Sequence, residues 1–307
     1  MEMLHVAAIV SGLANALAFI VTALVNGRPK WFSLPYNVGD MSRKNTVVVT
    51  PPNGYFSIWG IIYAYNAASI VYTVAYAVYT SRTNRAFVHS ADYHSKHLRA
   101  VTVLSVYNLC FLILNVAWVA TWCNELIHYS LYVILFLLAT QTAALVHGSR
   151  LANASEDIKT NPLFVWFYNQ CSFATGWIAV ATCLSFVVVI TYTSSGVPRV
   201  MDAQENQRRE LFASVACASV LLAVSAVLYT NTLLSKIKPV LNVAWTLSVV
   251  WGAVGALHRV VSDYEVVFST NTDLLIALCV LFTLVVATNL QHFVLMLCYN
   301  MYSGVSK

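Results

Sequence analysis

Eight long apolar stretches alternate with polar segments along this chain, at about residues 4–26, 54–80, 99–122, 127–147, 163–192, 210–233, 240–260 and 272–298. A helix rising about 1.5 Å per residue needs ~20 such residues to cross ~30 Å of hydrocarbon, and each stretch reaches that length. The pattern predicts an all-α chain of about eight transmembrane helices. The seventh is the most diluted, by Asn242, Trp245, Gly252, Gly255 and His258. "CNEL", between the third and fourth stretches, is so short that those two helices must form an antiparallel hairpin. The first connection, "RPKWFSLPYNVGDMSRKNTVVVTPPN", is the longest. Pro52, Pro162 and Pro239 each stand just ahead of a predicted helix, where a missing N–H costs nothing.

Composition fixes the solvent. Of 307 residues 59% are hydrophobic and 9% charged, against about 25% charged in soluble chains. All 12 carboxylates fall in connecting segments or at span ends, and no Asp, Glu, Lys or Arg occupies the middle of a span. This is expected where a charge in hydrocarbon costs several kcal/mol. The chain therefore reads as a multi-pass integral membrane protein whose first partner is the lipid bilayer. Leu4–Asn26 exceeds the ~7–15 residues of a secretory signal core, and Glu2 stands where a basic residue would be, so it reads as a retained span.

The net charge of +5 is spread over several loops, without the Lys/Arg run that would suggest a nucleic-acid partner. Of the 17 Lys and Arg, nine fall on the amino-terminal side of the eight spans and eight on the other, so there is no positive-inside bias. The seven cysteines lie mainly inside apolar stretches and read as small buried hydrophobes, without disulfide or metal-ligand spacing. His89, His94 and His97 sit together, but among Arg82, Arg85, Lys96 and Arg99, and read as a solvated face. No catalytic residue and no metal ligand is assigned.

The polar groups inside the spans are amides: Asn66, Asn108, Asn115, Gln141, Asn169, Gln170, Asn242 and Asn289. Each should hydrogen-bond another helix, or several should converge on a bound polar group. Trp31, Trp122 and Trp166 suit the membrane interface, whereas Trp59, Trp118, Trp177, Trp245 and Trp251 lie deeper. On the third span Asn115, Trp118 and Trp122 share a face. On the second, Phe56, Trp59 and Tyr63 form a similar stripe, continued by Asn66. Such stripes serve either packing or a pocket, and an amide on each favours the pocket.

These residues resemble the TspO/translocator-protein family. "PPNGYFSIWGIIY" is similar to its second-helix signature, Pro-Pro-x-x-x-Phe…Trp-x-x-x-Tyr. "LNVAWVATW" matches Asn-x-x-Trp of its third helix, and "GWIAVATCLS" matches Trp-x-x-x-Ala-Thr-x-Leu of its fifth. The resemblance looks closest to the longer, tryptophan-rich sensory branch, in which further spans follow the five-helix unit. It implies a TspO-like five-helix membrane bundle over 1–192 and a three-helix membrane extension over 193–307. It also implies a cavity lined by Trp59, Tyr63, Asn115, Trp118, Trp177 and Ala181, with the first loop over its mouth. Family ligands are apolar, planar or amphipathic, such as tetrapyrroles and sterols; neither is assigned as a fixed cofactor, and a homodimer is left open. There are two departures. Phe56 and Trp59 stand one residue closer together than in short members, which rotates Phe56 by about 100° on an α-helix. The second is the three extra helices, 193–307, which could cover or reshape the cavity.

Three functions follow: a receptor or carrier for a hydrophobic small molecule, an intramembrane enzyme acting on a tetrapyrrole or lipid, and a membrane scaffold. Uncharged aromatic rings with single N–H or O–H groups suit the first.

Overall fold

The computed structural model describes residues 2–83, 91–193, 197–199, 202–234, 243–262 and 271–305. Among these, eight helices are long and apolar enough to cross a membrane. In chain order the helices are α1 (Glu2–Gly27), α2 (Val38–Lys44), α3 (Ile58–Thr83), α4 (Ala91–Cys123), α5 (Ile127–Ala154), α6 (Glu156–Thr160), α7 (Pro162–Thr191), α8 (Ala203–Leu234), α9 (Val243–Ser262) and α10 (Thr272–Val305). All but α2 and α6 are spans. Asn242 and His89 lie outside the described residues.

Local chemistry sets several boundaries. Asn161 caps α7, its side-chain oxygen accepting from the N–H groups of Leu163 (2.9 Å) and Phe164 (3.2 Å), with Pro162 in the first turn. Asn37 caps α2 through the N–H of Asp40, 2.8 Å away. The α4–α5 hairpin turns at Glu125, a left-handed residue (φ 63°), and the N–H of Leu126 reaches back to the carbonyl of Thr121 at 2.9 Å. Four helices clearly exceed the apolar runs that announced them, α5 and α10 at their ends and α4 and α8 at their starts. α4 begins at Ala91, within the polar second connection, and α8 at Ala203, so that Glu205, Arg208, Arg209 and Glu210 form its first turns.

The spans form two rings of neighbours with α7 in common. α1 packs against α3 and α4, α4 against α5, α5 against α7, and α7 against α3, which closes a five-helix bundle. α7 also packs against α8 and α9, and α10 bridges those two. Amides join the first ring: Asn15 Nδ2 donates to the carbonyl (2.8 Å) and hydroxyl (2.9 Å) of Ser105, Asn108 donates to Asn15 (2.8 Å), and Gln170 donates to Asn108 (3.2 Å). In the second ring Asn289 donates to Ser225 at 2.9 Å, and Thr246 meets His292 at 3.4 Å. Of the predicted interior amides, Asn108, Gln170 and Asn289 thus act as interhelical bonds.

α7 and α9 approach closely because glycines line their contact. A Cβ on Gly176 would lie 2.1 Å from the Ser248 hydroxyl, and one on Gly252 would lie 2.7 Å from Val180. By alternation along the chain, the first loop, the α4–α5 turn, the residues after α7 and the end of α9 share one side. The site lies at that end of the five-helix bundle.

Candidate functional site

Four elements converge beneath the first loop. Trp59 from α3 stacks on Trp118 from α4 (ring centroids 5.7 Å apart, 24° between planes), and Trp118 stacks on Trp122 (6.2 Å, 12°). Trp177 from α7 stands edge-on to Trp59 (6.4 Å, 89°) and to Phe56 (6.2 Å, 88°). These rings, with Ala181, Leu184, Ser185 and Val188 of α7, line a hollow roofed by Ser42, Asn45 and Thr50. None of the lining residues is charged.

Phe56 reaches the hollow despite its shortened spacing from Trp59. Residues Asn53–Ser57 form a 3-10 turn ahead of α3, so the α-helical 100° rotation does not apply to Phe56. The roof is itself folded: Asn45 N–H bonds to Met41, Thr50 N–H bonds to the Val47 carbonyl (2.8 Å), and Val47 N–H bonds to the Thr50 hydroxyl (2.9 Å). Val47 and Val49 are buried in the main core.

Of the six residues expected to line a cavity, Trp59, Trp118, Trp177 and Ala181 do so. Tyr63 and Asn115 lie one turn deeper, joined by a hydrogen bond from the Tyr63 hydroxyl to Asn115 Oδ1 at 3.0 Å. They back the site instead of lining it; Tyr63 packs on Trp59 at 5.8 Å. Trp122, expected at the membrane interface, is 5% exposed and belongs to the hollow, because the first loop covers the last turn of α4. Its position one turn beyond Trp118 was the available signal. Leu184, Ser185 and Val188 continue the Ala181 face of α7 at helical spacing. Ser42, Asn45 and Thr50 carried no signal beyond the length of their loop.

Two properties define what the site can do. The hollow measures about 40 Å³, room for one or two waters at ~30 Å³ each. Pockets for drug-sized molecules run ~300–1,000 Å³, so a tetrapyrrole or sterol does not fit unless the rings part. The second property is unspent hydrogen-bonding capacity. The indole N–H groups of Trp118, Trp122 and Trp177 are buried and donate to no protein group, and Asn45 Oδ1 accepts from none. Buried polar groups are almost always paired, so three donors and one acceptor without protein partners around one hollow can serve a water or a polar ligand group there.

Other aromatic and imidazole groups lie away from the hollow, and among them the buried Trp245 indole N–H also has no protein acceptor. Trp166 donates to the Ser69 hydroxyl at 3.0 Å, Trp251 to the Tyr55 carbonyl at 2.9 Å, and Trp31 is 70% exposed beside Arg28. His97 meets the Asp157 carbonyl (2.8 Å) and His94 the Tyr76 hydroxyl (3.4 Å). Among the described residues, no three His, Cys, Asp or Glu side chains form a group that could hold a metal ion.

A family model described as TSPO-like protein matches residues 12–288, a range that includes most of the three helices after α7. No curated protein and no solved structure matches the chain.

Proposed function

Because the chain belongs to the TSPO-like family, we propose that it binds an uncharged, amphipathic small molecule among the rings of α3, α4 and α7. The observation that carries this reading is the set of idle indole donors at Trp118, Trp122 and Trp177 around one hollow. A ligand carbonyl or hydroxyl would satisfy them, while its apolar body would replace ring-to-ring contact with ring-to-ligand contact. The absence of charge from the lining favours a neutral ligand, since an ion placed there would find no counter-charge. That chemistry suits a sterol, with its single hydroxyl, better than a tetrapyrrole bearing ionised carboxylates. Entry requires the rings and the roof to separate, since the hollow is far smaller than either molecule. The protein then acts as a receptor or carrier that encloses its ligand.

The test is titration of the purified protein with a neutral sterol and with a porphyrin, followed by tryptophan fluorescence. Trp118→Phe and Trp177→Phe keep a ring and remove the N–H, and each should weaken binding about two- to tenfold, the worth of one hydrogen bond. Saturable binding of neither compound, or affinity unchanged in both variants, would overturn the proposal.

A further inference from the structure

We propose that the helices after α7 hold the roof of the aromatic hollow closed, with Glu210 of α8 as the latch and α9 as the seat; this rests on the ligand-binding reading above. The roof is the segment 42–57, and it meets the extension at two places. At the first, the Glu210 carboxylate, two turns into α8, accepts the backbone N–H of Val48. Beside it the Tyr192 hydroxyl, just past α7, donates to the Thr46 carbonyl at 2.7 Å. At the second, α9 receives Pro51 and Tyr55. The Trp251 indole donates to the Tyr55 carbonyl (2.9 Å), and the Tyr55 hydroxyl meets His258 Nδ1 (3.3 Å). Gly255 makes this seat possible: a Cβ there would stand 2.8 Å from the Tyr55 ring and 2.9 Å from Pro51.

Thr50, which lines the hollow, lies between the two fastenings, and Phe56 follows directly on the second. The roof therefore cannot lift from the rings without breaking contacts that α8 and α9 supply. Glu210 is unusual in a chain that keeps its interior free of charge. A glutamate side-chain oxygen can accept a backbone N–H in either protonation state, so the contact does not require a charge at this depth. Placed on the extension, it makes opening of the binding site depend on helices that do not line it.

The latch makes a kinetic prediction. If entry and exit both pass through the open roof, weakening the latch raises both rates by the same factor and leaves Kd unchanged while the closed form still dominates. In Glu210→Ala, hydrogen exchange of the 45–52 segment in the full-length, ligand-free protein should rise about tenfold or more, with α1 and α5 unaffected. Association and dissociation of a neutral sterol should each rise by a similar factor. Glu210→Gln keeps an acceptor oxygen and should stay within about threefold of wild type. Should Glu210→Ala fail to fold, Trp251→Phe applies the same test at Tyr55, where exchange should rise over 53–57. Unchanged exchange in the roof, or a rise spread evenly over α7 and α8, would overturn the latch. If exchange rises in the roof but the wild-type protein binds no sterol, the latch stands and the ligand reading falls.

Discussion

Tyr63 brings its hydroxyl into the bundle where Asn115 is its acceptor, and Asn115 Nδ2 is already buried without a partner. Tyr63→Phe would leave both ends of that amide idle. The expected cost is about 1–3 kcal/mol, the penalty for stranding a buried polar group, read as a lower unfolding midpoint in detergent. Tyr63→Phe combined with Asn115→Leu should recover much of the loss, because no polar atom is then stranded; a single variant as stable as wild type would show that the bond contributes nothing. At this scale the sequence was a good guide to residue type and a poorer one to role. Trp59, Trp118, Trp177 and Ala181, which the family resemblance implied for a cavity lining, stand around the hollow, whereas Tyr63 and Asn115, on the same helix faces as Trp59 and Trp118, stand behind it. Periodicity reports which face a residue occupies, while the depth at which a cavity opens depends on what roofs it. Trp122 illustrates the same point from the opposite direction. A tryptophan at a span end belongs with the headgroups unless a loop folds over it, and here the loop does.

Between elements, backbone proximity decides more than apolar pattern. α7 lies among five other spans, and 61% of its most apolar stretch is buried, against 28% for α1, α5 and α10. Lipid and protein interior are equally apolar, so hydrophobicity marks that a span exists without marking which of its faces is covered. Small residues carry that information instead. Gly176→Ala would drive a methyl to 2.1 Å from the Ser248 hydroxyl and 2.9 Å from the Trp245 carbonyl. The serine can rotate but the carbonyl cannot, so α9 must shift, at a cost of about 1–3 kcal/mol. Gly60→Ala in α3 meets nothing within 4 Å and should be neutral or stabilising by up to about 1 kcal/mol through helix propensity. Thermal unfolding of the two variants in one detergent checks the ordering, and equal midpoints would refute the close α7–α9 contact. The start of α3 shows what spacing alone could not supply. The 3-10 turn at Asn53–Ser57 sets Phe56 against Trp177, and a uniform α-helix counted back from Trp59 would have aimed it elsewhere.

For the molecule as a whole, number and order of spans followed from eight apolar runs, because crossing hydrocarbon is a demand each helix meets alone. The two rings sharing α7 did not follow, since they depend on amides and glycines meeting across helices far apart in sequence. The clamped roof shows the same dependence: it joins the first loop to α8, α9 and the α4–α5 turn. Its tie to that turn is the Lys44–Glu125 ion pair (2.6 Å), which lies outside the spans and is sensitive to pH. The Lys44 hydrogen bond holds the Glu125 carboxyl below its ordinary value of 4.5, and the same bond holds Lys44 above its ordinary 10.5. The lowered carboxyl gives stabilisation that is fully present above pH 4.5 and lost as pH falls through the lower folded value. The raised ammonium gives stabilisation present below pH 10.5 and lost as pH climbs through the higher one. Between those limits the pair persists. Glu125→Gln should therefore speed hydrogen exchange in α2 at neutral pH, by a few-fold at most for a pair this exposed. Taking the ratio of variant to wild type at each pH cancels the intrinsic pH dependence of exchange. That ratio should fall to one as Glu125 protonates; a ratio that stays above one in acid would show that the anchor there is steric and not ionic.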